Sequence, residues 1–515
     1  MIIVDATVVN VAVPVIIKDL GIGLTTAEWI TDIYTIVFAA FLVTLGRVGD
    51  VFGRRMLFVW GIVVFLAGSV LSGLAPSGGA LVGARFVQGV GAAAILPATL
   101  AIVNATFQGR SRAVAFGIWG AVIGGMAAFG PLLGGWLTTS HSWRWVFYIN
   151  VPIGLAAIVG ALAWLPESTD PTAGRRFDIP GSLLVSAGMF SFVFGLIEGS
   201  RYGWWTTIRT WQVLGLSWNW SPSPAPTGII VGALLLVWFW RFERRRRVAG
   251  LPVVFDIGLF RIKSFTLGNL ASVIVGLGEF GLIFVLPLFL QSVLGFTAFR
   301  TGLLLMWLAG GSFLASAASE IARVVGPKRV VVVGFALEAI GIGWATTVLS
   351  PTVTGGVLGP ALFVYGLGVG LNSAQLTNLI LGEIPPEDSG EASGMRSAMR
   401  QVGSALGIAV LGTVLASSLA STTSARLASV QSLPPQARAG IVQAIDQSAG
   451  QALAEIRTRP GSEQVVAAVS DAITTSTKRA GYTGLVFVIV GLGFSFLIPD
   501  IRPGSEAKPE TAGAV

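Results

Sequence analysis

The sequence predicts an all-α polytopic membrane protein that crosses the bilayer fourteen times, and three observations carry that prediction. Of its 515 residues, 53% are hydrophobic and only 11% charged, where a soluble protein carries roughly a quarter. Apolar runs of about 20 residues, the length that crosses a bilayer, follow one another from end to end. Glycine occurs 67 times, as suits membrane helices, where it lets neighbouring backbones approach closely.

Taken in order, the first run is Ile2–Ile17, followed by Trp29–Val48, Met56–Ala75, Ala80–Ala105, Ala113–Thr138 and Val146–Leu165. Ile179–Gly199 and the short Thr227–Trp240 come next. The remaining six are Phe265–Val293, Gly302–Ala322, Arg329–Leu349, Gly355–Leu381, Ser397–Leu419 and Gly481–Pro499. Short loops rich in Lys and Arg stay cytoplasmic. Loops after even-numbered runs carry Arg54–Arg55, Arg110 and Arg112, Arg175–Arg176, Arg244–Arg247 and Lys328–Arg329, whereas the others carry little. Both termini are therefore expected inside, in a multi-pass inner or plasma membrane protein.

The composition also excludes whole classes. With no cysteine and a single histidine, thiolate zinc sites, cysteine nucleophiles and His-rich metal centres are ruled out. The net charge of +8 does not signal nucleic acid, because the basic residues sit in short loops between apolar runs rather than on one soluble face. No phosphate-binding Gly-rich loop with Lys and Ser/Thr is present, which argues against direct ATP drive. No cofactor is expected.

Three segments break the rhythm. An outer loop with Trp204, Trp205, Trp211, Trp218 and Trp220 reads as an anchor at the membrane–water interface. The stretch 420–480 is too polar to cross and reads as an external excursion, with amphipathic helix possible over Ala437–Ile456. Only four residues precede Asp5, about 6 Å of helix, so the native start is expected upstream of Met1.

The most specific local pattern is Gly46-Arg-Val-Gly-Asp50-Val-Phe-Gly53-Arg54-Arg55. Its glycines suit close helix approach and a tight turn, and Asp50 can pair with loop arginines or with the positive end of a helix. The spacing resembles the signature loop of the major facilitator superfamily. Asp5 through Asn10 to Pro14 is similar to the first-helix motif of that superfamily's fourteen-spanning drug:proton antiporters. Arg85-Phe-Val-Gln88-Gly89-Val-Gly91 resembles the fourth-helix Arg motif. Gly120 through Gly124 to Gly130-Pro131-Leu-Leu-Gly134-Gly135 resembles the fifth-helix antiporter motif. Trp143–Pro152, Leu371–Asn378 and Gly390–Gln401 extend the likeness. Departures are the short lead into Asp5, Trp307 where relatives more often have Pro, and a degenerate Gly326–Arg329.

The resemblance implies two six-helix halves, 1–166 and 249–499, rocking about a central cavity. Two inserted helices lie between them in 167–248, and 500–515 forms a disordered cytoplasmic tail. It also implies a monomer that exchanges protons for a small lipophilic or cationic molecule, driven by the proton gradient, with membrane lipid around it. Gly lets the fifth helix pack closely, while Pro131 removes a backbone bond and bends it.

Charges inside the membrane are costly and mark function by default. Asp5 is expected in the cytoplasmic half of the first run. Asp32 and Arg85 enter their runs at similar depth from outside, which makes an interaction geometrically possible, either as a fixed ion pair or as a carboxylate that carries the proton as Arg85 approaches or withdraws. Glu279 stands about 21 Å along its helix in an apolar stretch and is expected to face the cavity, with Glu338 a second candidate. Asn10, Gln88, Asn372 and Gln375 complete the expected cavity lining, and Glu198 reads as an interfacial charge. Burial disfavours an ionised carboxylate and a nearby cation favours it, so a proton and a cationic substrate can compete for one carboxylate. A dedicated lipid or metabolite exporter and an uptake symporter are the rival readings on this scaffold.

Overall fold

Over their described residues the fourteen apolar runs are essentially helical, and the departures lie in where those helices start and stop. The structure, a computed structural model, describes residues 1–22, 24–107, 109–169, 177–207, 211–213, 216–218, 220–317, 322, 324–430, 433–448 and 450–499. The first bundle contains α1 (Ile2–Leu20), α2 (Leu24–Phe52), α3 (Arg54–Leu74), α4 (Gly78–Thr106) and α5 (Gly109–Ser140). The sixth run breaks at Ile149 into α6 (Trp145–Tyr148) and α7 (Asn150–Trp164). Next come α8 (Ile179–Tyr202) and α9 (Pro224–Val248), a helical hairpin. The second bundle is α10 (Lys263–Ser292), α11 (Ala298–Ala317), α12 (Pro327–Val348), α13 (Gly355–Leu381), α14 (Ser389–Ala428) and α17 (Glu463–Ser495). The short helices α15 (Pro435–Gln447) and α16 (Leu453–Arg457) precede α17. Among the described residues, nine helices are long and apolar enough to cross a membrane.

The two bundles repeat one packing scheme. In each, the third helix packs on the fourth, the second on the fourth and the first on the fifth. The closest approaches repeat too. A Cβ on Gly91 of α4 would sit 2.8 Å from the Gly61 carbonyl of α3, and one on Gly368 of α13 would sit 2.6 Å from the Gly334 carbonyl of α12. In lipid, where apolar surface gains little by leaving its solvent, such close backbone contact is what holds helices together.

The bundles meet along two seams, α5 against α11 and α2 against α14. The α8–α9 hairpin leans on the second seam, because α8 packs on both α2 and α14 while α9 packs on α8. Thr44 of α2 bonds Ser186 of α8 at 2.9 Å.

Two expectations change. The Trp-rich loop contains a small antiparallel hairpin, β1 (Trp211–Val213) with β2 (Leu216–Trp218), and Trp204 donates to Thr413 of α14 at 3.0 Å. The excursion 420–480 is a helical cap rather than a loop, and the helix expected over Ala437–Ile456 is present in it as α15 and α16. Its scaffold is the overrun of α14 and α17, at 40 and 33 residues well beyond the length a bilayer needs. Arg426 pairs with Asp471 at 2.8 Å, Arg457 donates to the Val293 carbonyl at the end of α10, and Leu427, Ile445, Leu453 and Val469 are fully buried beneath. The apolar stripe hidden inside this polar stretch folds it.

Candidate functional site

Five helices of the first bundle converge on one buried carboxylate. Asp5, near the start of α1, is fully buried. Its Oδ2 accepts from Arg85 Nη1, and its Oδ1 accepts from Asn150 Nδ2 at 2.8 Å and Gln88 Nε2 at 3.1 Å. Arg85 also donates to the Ile30 carbonyl at 3.0 Å and to Gln88 Oε1 at 2.8 Å, and its guanidinium lies 4.2 Å from the Tyr34 ring centroid. Ser69 of α3 accepts from Gln88 at 2.6 Å and from Asn150 at 3.2 Å. Spacing explains the meeting of Arg85 and Gln88, since residues three apart share a helix face.

This cluster corrects one expectation. The carboxylate partner of Arg85 is Asp5 rather than Asp32, which lies half-buried and accepts from the Thr31 hydroxyl at 3.4 Å. Counting from the first apolar residue measures distance along a helix, and depth in the membrane depends on how that helix is docked. Ser69, Tyr34 and Asn150 were not singled out from the sequence. Asn150 had a usable signal, as an amide inside an apolar run and inside the matched stretch Trp143–Pro152.

The signature loop forms a latch between the bundles. Asp50, at the end of α2, accepts from Arg54 Nε and Nη2 at 2.9 and 2.6 Å. It also accepts from the first backbone N–H groups of α14, Gly390 at 2.9 Å and Glu391 at 2.7 Å. Both partners foreseen for Asp50, an arginine and a helix N-terminus, are thus used at once. Arg54 reaches across to the Glu387 carbonyl at 3.0 Å, and Asn104 of α4 donates to Ser389 at 2.8 Å. A Cβ on Gly46 would stand 2.5 Å from the Gly390 carbonyl, so the α2–α14 crossing requires glycine there. Gly53 has φ 116°, a region that favours glycine, and turns the chain so that Glu167 caps α3 at Arg55 and Met56, 3.0 and 3.1 Å away.

On α5, Gly130 lies against Thr7 and Val8 of α1, and Gly134 against Val8 and Val11. The neighbouring face approaches α11, with Gly135 near Phe299 and Leu132 near Gly302. One helix thus touches both the helix that carries Asp5 and the opposite bundle. Gly120, Gly124 and Pro131 lie in this helix, which runs unbroken from 109 to 140. The surroundings of these three, and the side chains of Asn10 and Glu279, lie outside the described residues.

In the second bundle, Asn372 and Gln375 are buried. Asn372 donates to Glu338 at 2.8 Å, facing α12. Both ends of the Gln375 amide lack a hydrogen-bond partner among the described residues. Arg396 of α14 donates to Thr377 and lies 5.4 Å from the Trp119 ring of α5, a cation carried across the seam. Glu198, in the last two turns of α8, is fully buried.

Residues 1–408 match the family described as the Major Facilitator Superfamily. The chain belongs to that superfamily. Similar curated proteins include the "Probable actinorhodin transporter" of Streptomyces coelicolor, 34% identical over 75% of this chain and 65% of that one. The chain thus spans just under two thirds of that relative's length. The "Puromycin resistance protein pur8" of Streptomyces alboniger is 34% identical over 76% and 75%. The "Multidrug transporter protein MdtP" of Bacillus subtilis is 28% identical over 97% and 90%. Among solved structures, the proton:xylose symporter XylE superposes with TM-score 0.58 at 13% identity, covering 98% of this chain and 94% of that one. The human organic anion transporter MFSD10 gives 0.56 at 12%, covering 95% and 96%. These two establish the shared fold. The superfamily makes the chain a multi-pass membrane transporter.

Proposed function

We propose that this transporter is a proton-coupled antiporter that exports small lipophilic or cationic molecules by alternating access, with the latch on the cytoplasmic side and both termini cytoplasmic. The observation that carries the reading is Asp5, a fully buried carboxylate held by Arg85, Gln88 and Asn150. A proton arriving on Asp5 cancels the charge to which Arg85 is bonded. Arg85 is then held only by the Tyr34 ring, the Ile30 carbonyl and Gln88, and α1 can move against α5 along the Gly130–Gly134 contact. Bond formation at a buried charge thereby becomes helix motion. In this reading the domains are 1–166 and 249–499, with 167–248 as an inserted linker. Asp32 and Glu279 serve as further proton or substrate groups, and Asn10, Gln88, Asn372 and Gln375 belong to the transport path. The protein works as a monomer in lipid without a cofactor.

The relatives' names support drug or antibiotic export. Several are named for one antibiotic, including the "Tetracenomycin C resistance and export protein" of Streptomyces glaucescens. That favours a second reading, a dedicated exporter of one metabolite on the same mechanism.

The test is efflux of a fluorescent lipophilic cation in inverted vesicles, with and without a protonophore. Protonophore-sensitive movement that Asp5→Asn abolishes supports the antiporter. Unchanged proton coupling in Asp5→Asn, Asp32→Asn and Glu279→Gln alike would sink it. If no dye moves under any gradient, polyspecific export fails and the single-metabolite reading stands.

A further inference from the structure

A second buried carboxyl pair lies outside the transport path, at the latch end of the inserted hairpin. Asp178, at the N-cap of α8, and Glu243, in the last two turns of α9, are 2% and 0% exposed. Oε1 of Glu243 and Oδ2 of Asp178 both lie beside Gly181, where a single added Cβ would meet both. Neither oxygen has a hydrogen-bond donor.

The remaining oxygens are occupied. Asp178 Oδ1 caps α8 by accepting from Gly181 N–H at 3.0 Å, and Glu243 Oε2 accepts from Val254 N–H at 3.1 Å. Among the described residues the nearby cation is Arg246, whose Nε lies 3.1 Å from Asp178 Oδ2. That N–H is spent on the Pro252 carbonyl at 2.9 Å, so Arg246 supplies charge to Asp178 but no hydrogen from that nitrogen. Arg247 pairs with Asp256 at 2.8 Å, and Arg47 pairs with Glu391 at 3.5 Å. Asp256 and Glu391 thus each have an arginine, and among the described residues Glu243 has none. Two facing carboxyl groups with one cation between them cannot both ionise without cost. The cap and Arg246 favour the anion on Asp178, which assigns the proton to Glu243.

The pair also grips the chain that leads to the latch. Glu243 holds Val254 and Arg246 holds Pro252. Two residues on, Asp256 N–H donates to Glu391 at 3.2 Å, and the N–H of that same Glu391 is bound by Asp50.

We propose that Asp178 and Glu243 form a proton-binding site whose occupancy docks the inserted hairpin, through residues 252–256, onto the Asp50–Glu391 latch. With the proton present, Glu243 donates to Asp178 and the grip on Val254 is held. Without it, two anions face each other in a buried pocket, and the hairpin and linker separate. The docked state is the one that binds the proton. Docking is therefore complete at low pH and is lost as pH rises. If the latch end is cytoplasmic, as proposed above, the pH sensed is that of the cytoplasm.

The experiment uses the full chain in lipid nanodiscs, with the same buffer on both faces, so it requires neither transport nor orientation. The chain has no native cysteine, so Met56→Cys and Val248→Cys carry the only spin labels, on the first bundle and the hairpin end. Between about pH 6 and about pH 9, a range bracketing a shifted carboxyl, the distance distribution should change from one narrow population to a broader, longer one. Glu243→Gln keeps the hydrogen bond without a titratable proton and should stay in the narrow state throughout. Asp178→Asn should do the same from the other side of the pair, which serves if Glu243→Gln folds poorly. Infrared spectra of the unlabelled chain should show a protonated carboxyl band at neutral pH that Glu243→Gln removes. A pH response unchanged in both variants, the absence of any response in the wild type, or an infrared band that survives Glu243→Gln would overturn the proposal. Loss of dye efflux with an intact pH response would instead count against the antiporter reading alone.

Discussion

Replacing Asp50 by Asn tests whether the signature loop is a latch between bundles or merely a basic loop. The carboxylate accepts two bonds from Arg54 and two from the N-terminus of α14, so one side chain joins two bundles. An amide keeps one acceptor oxygen and turns an N–H donor toward another donor. Hydrogen bonds to a charged group contribute about 1.5–3 kcal/mol each, and neutral ones about 1. Losing one bond across the seam and neutralising the other therefore removes about 2–5 kcal/mol, a shift of roughly 30- to 5,000-fold in the latched fraction. Arg54 is left buried without its carboxylate, which destabilises the latched form further. The assay is the distance between spin labels at Met56→Cys and Leu497→Cys, one on each bundle at the latch end. Asp50→Asn should convert a single short population into a mixture dominated by a longer one. Arg55→Ala, which breaks a pair about one-third exposed on each side, should change stability by less than about 1 kcal/mol and leave the distances alone. An Asp50→Asn distribution identical to wild type would refute the latch.

Asn150→Ala removes two donors from the Asp5 cluster and should lower stability by about 1–3 kcal/mol, measured as a fall in thermal midpoint. Its dye efflux should weaken more than its folding. Gly91→Val and Gly368→Val place side chains against the carbonyls of Gly61 and Gly334, so both should destabilise by at least about 1–3 kcal/mol. A variant with unchanged melting at either position would break the repeat. At the opposite end, beyond the first apolar run, Asp19 accepts from Trp143 at 2.8 Å and from Arg144 at 2.8 Å. Those bonds hold its carboxyl below the usual range. A lowered folded value gives stability present above the ordinary carboxylate range and lost as pH falls through that lowered value. The difference in thermal midpoint between wild type and Asp19→Asn should therefore shrink on acidification, and a constant difference would discard the pin.

The order of the apolar helices was legible in the chain, because hydropathy in blocks of about 20 residues is a local property. The sequence also marked Asp5 and Arg85, since a charge in an apolar run is conspicuous without any structure, and Gln88 and Asp50 through the motifs they belong to. It missed what depends on which helix faces which. Arg85 was matched to Asp32 by depth, whereas the packing of α1 between α5 and α2 delivers Asp5 to it. Asn150 and Ser69 joined the site only because α7 and α3 pack together. The cap over 420–480 was hidden because a stripe of Leu and Ile inside polar sequence finds its partners in the overrun of α14 and α17. The Asp178–Glu243 pair was equally invisible, because 65 residues of sequence separate two carboxyls that meet only when α8 and α9 close into a hairpin. Pairing of this kind is a non-local event, set by the close backbone contacts that glycine allows between helices, and only the tertiary structure decides it.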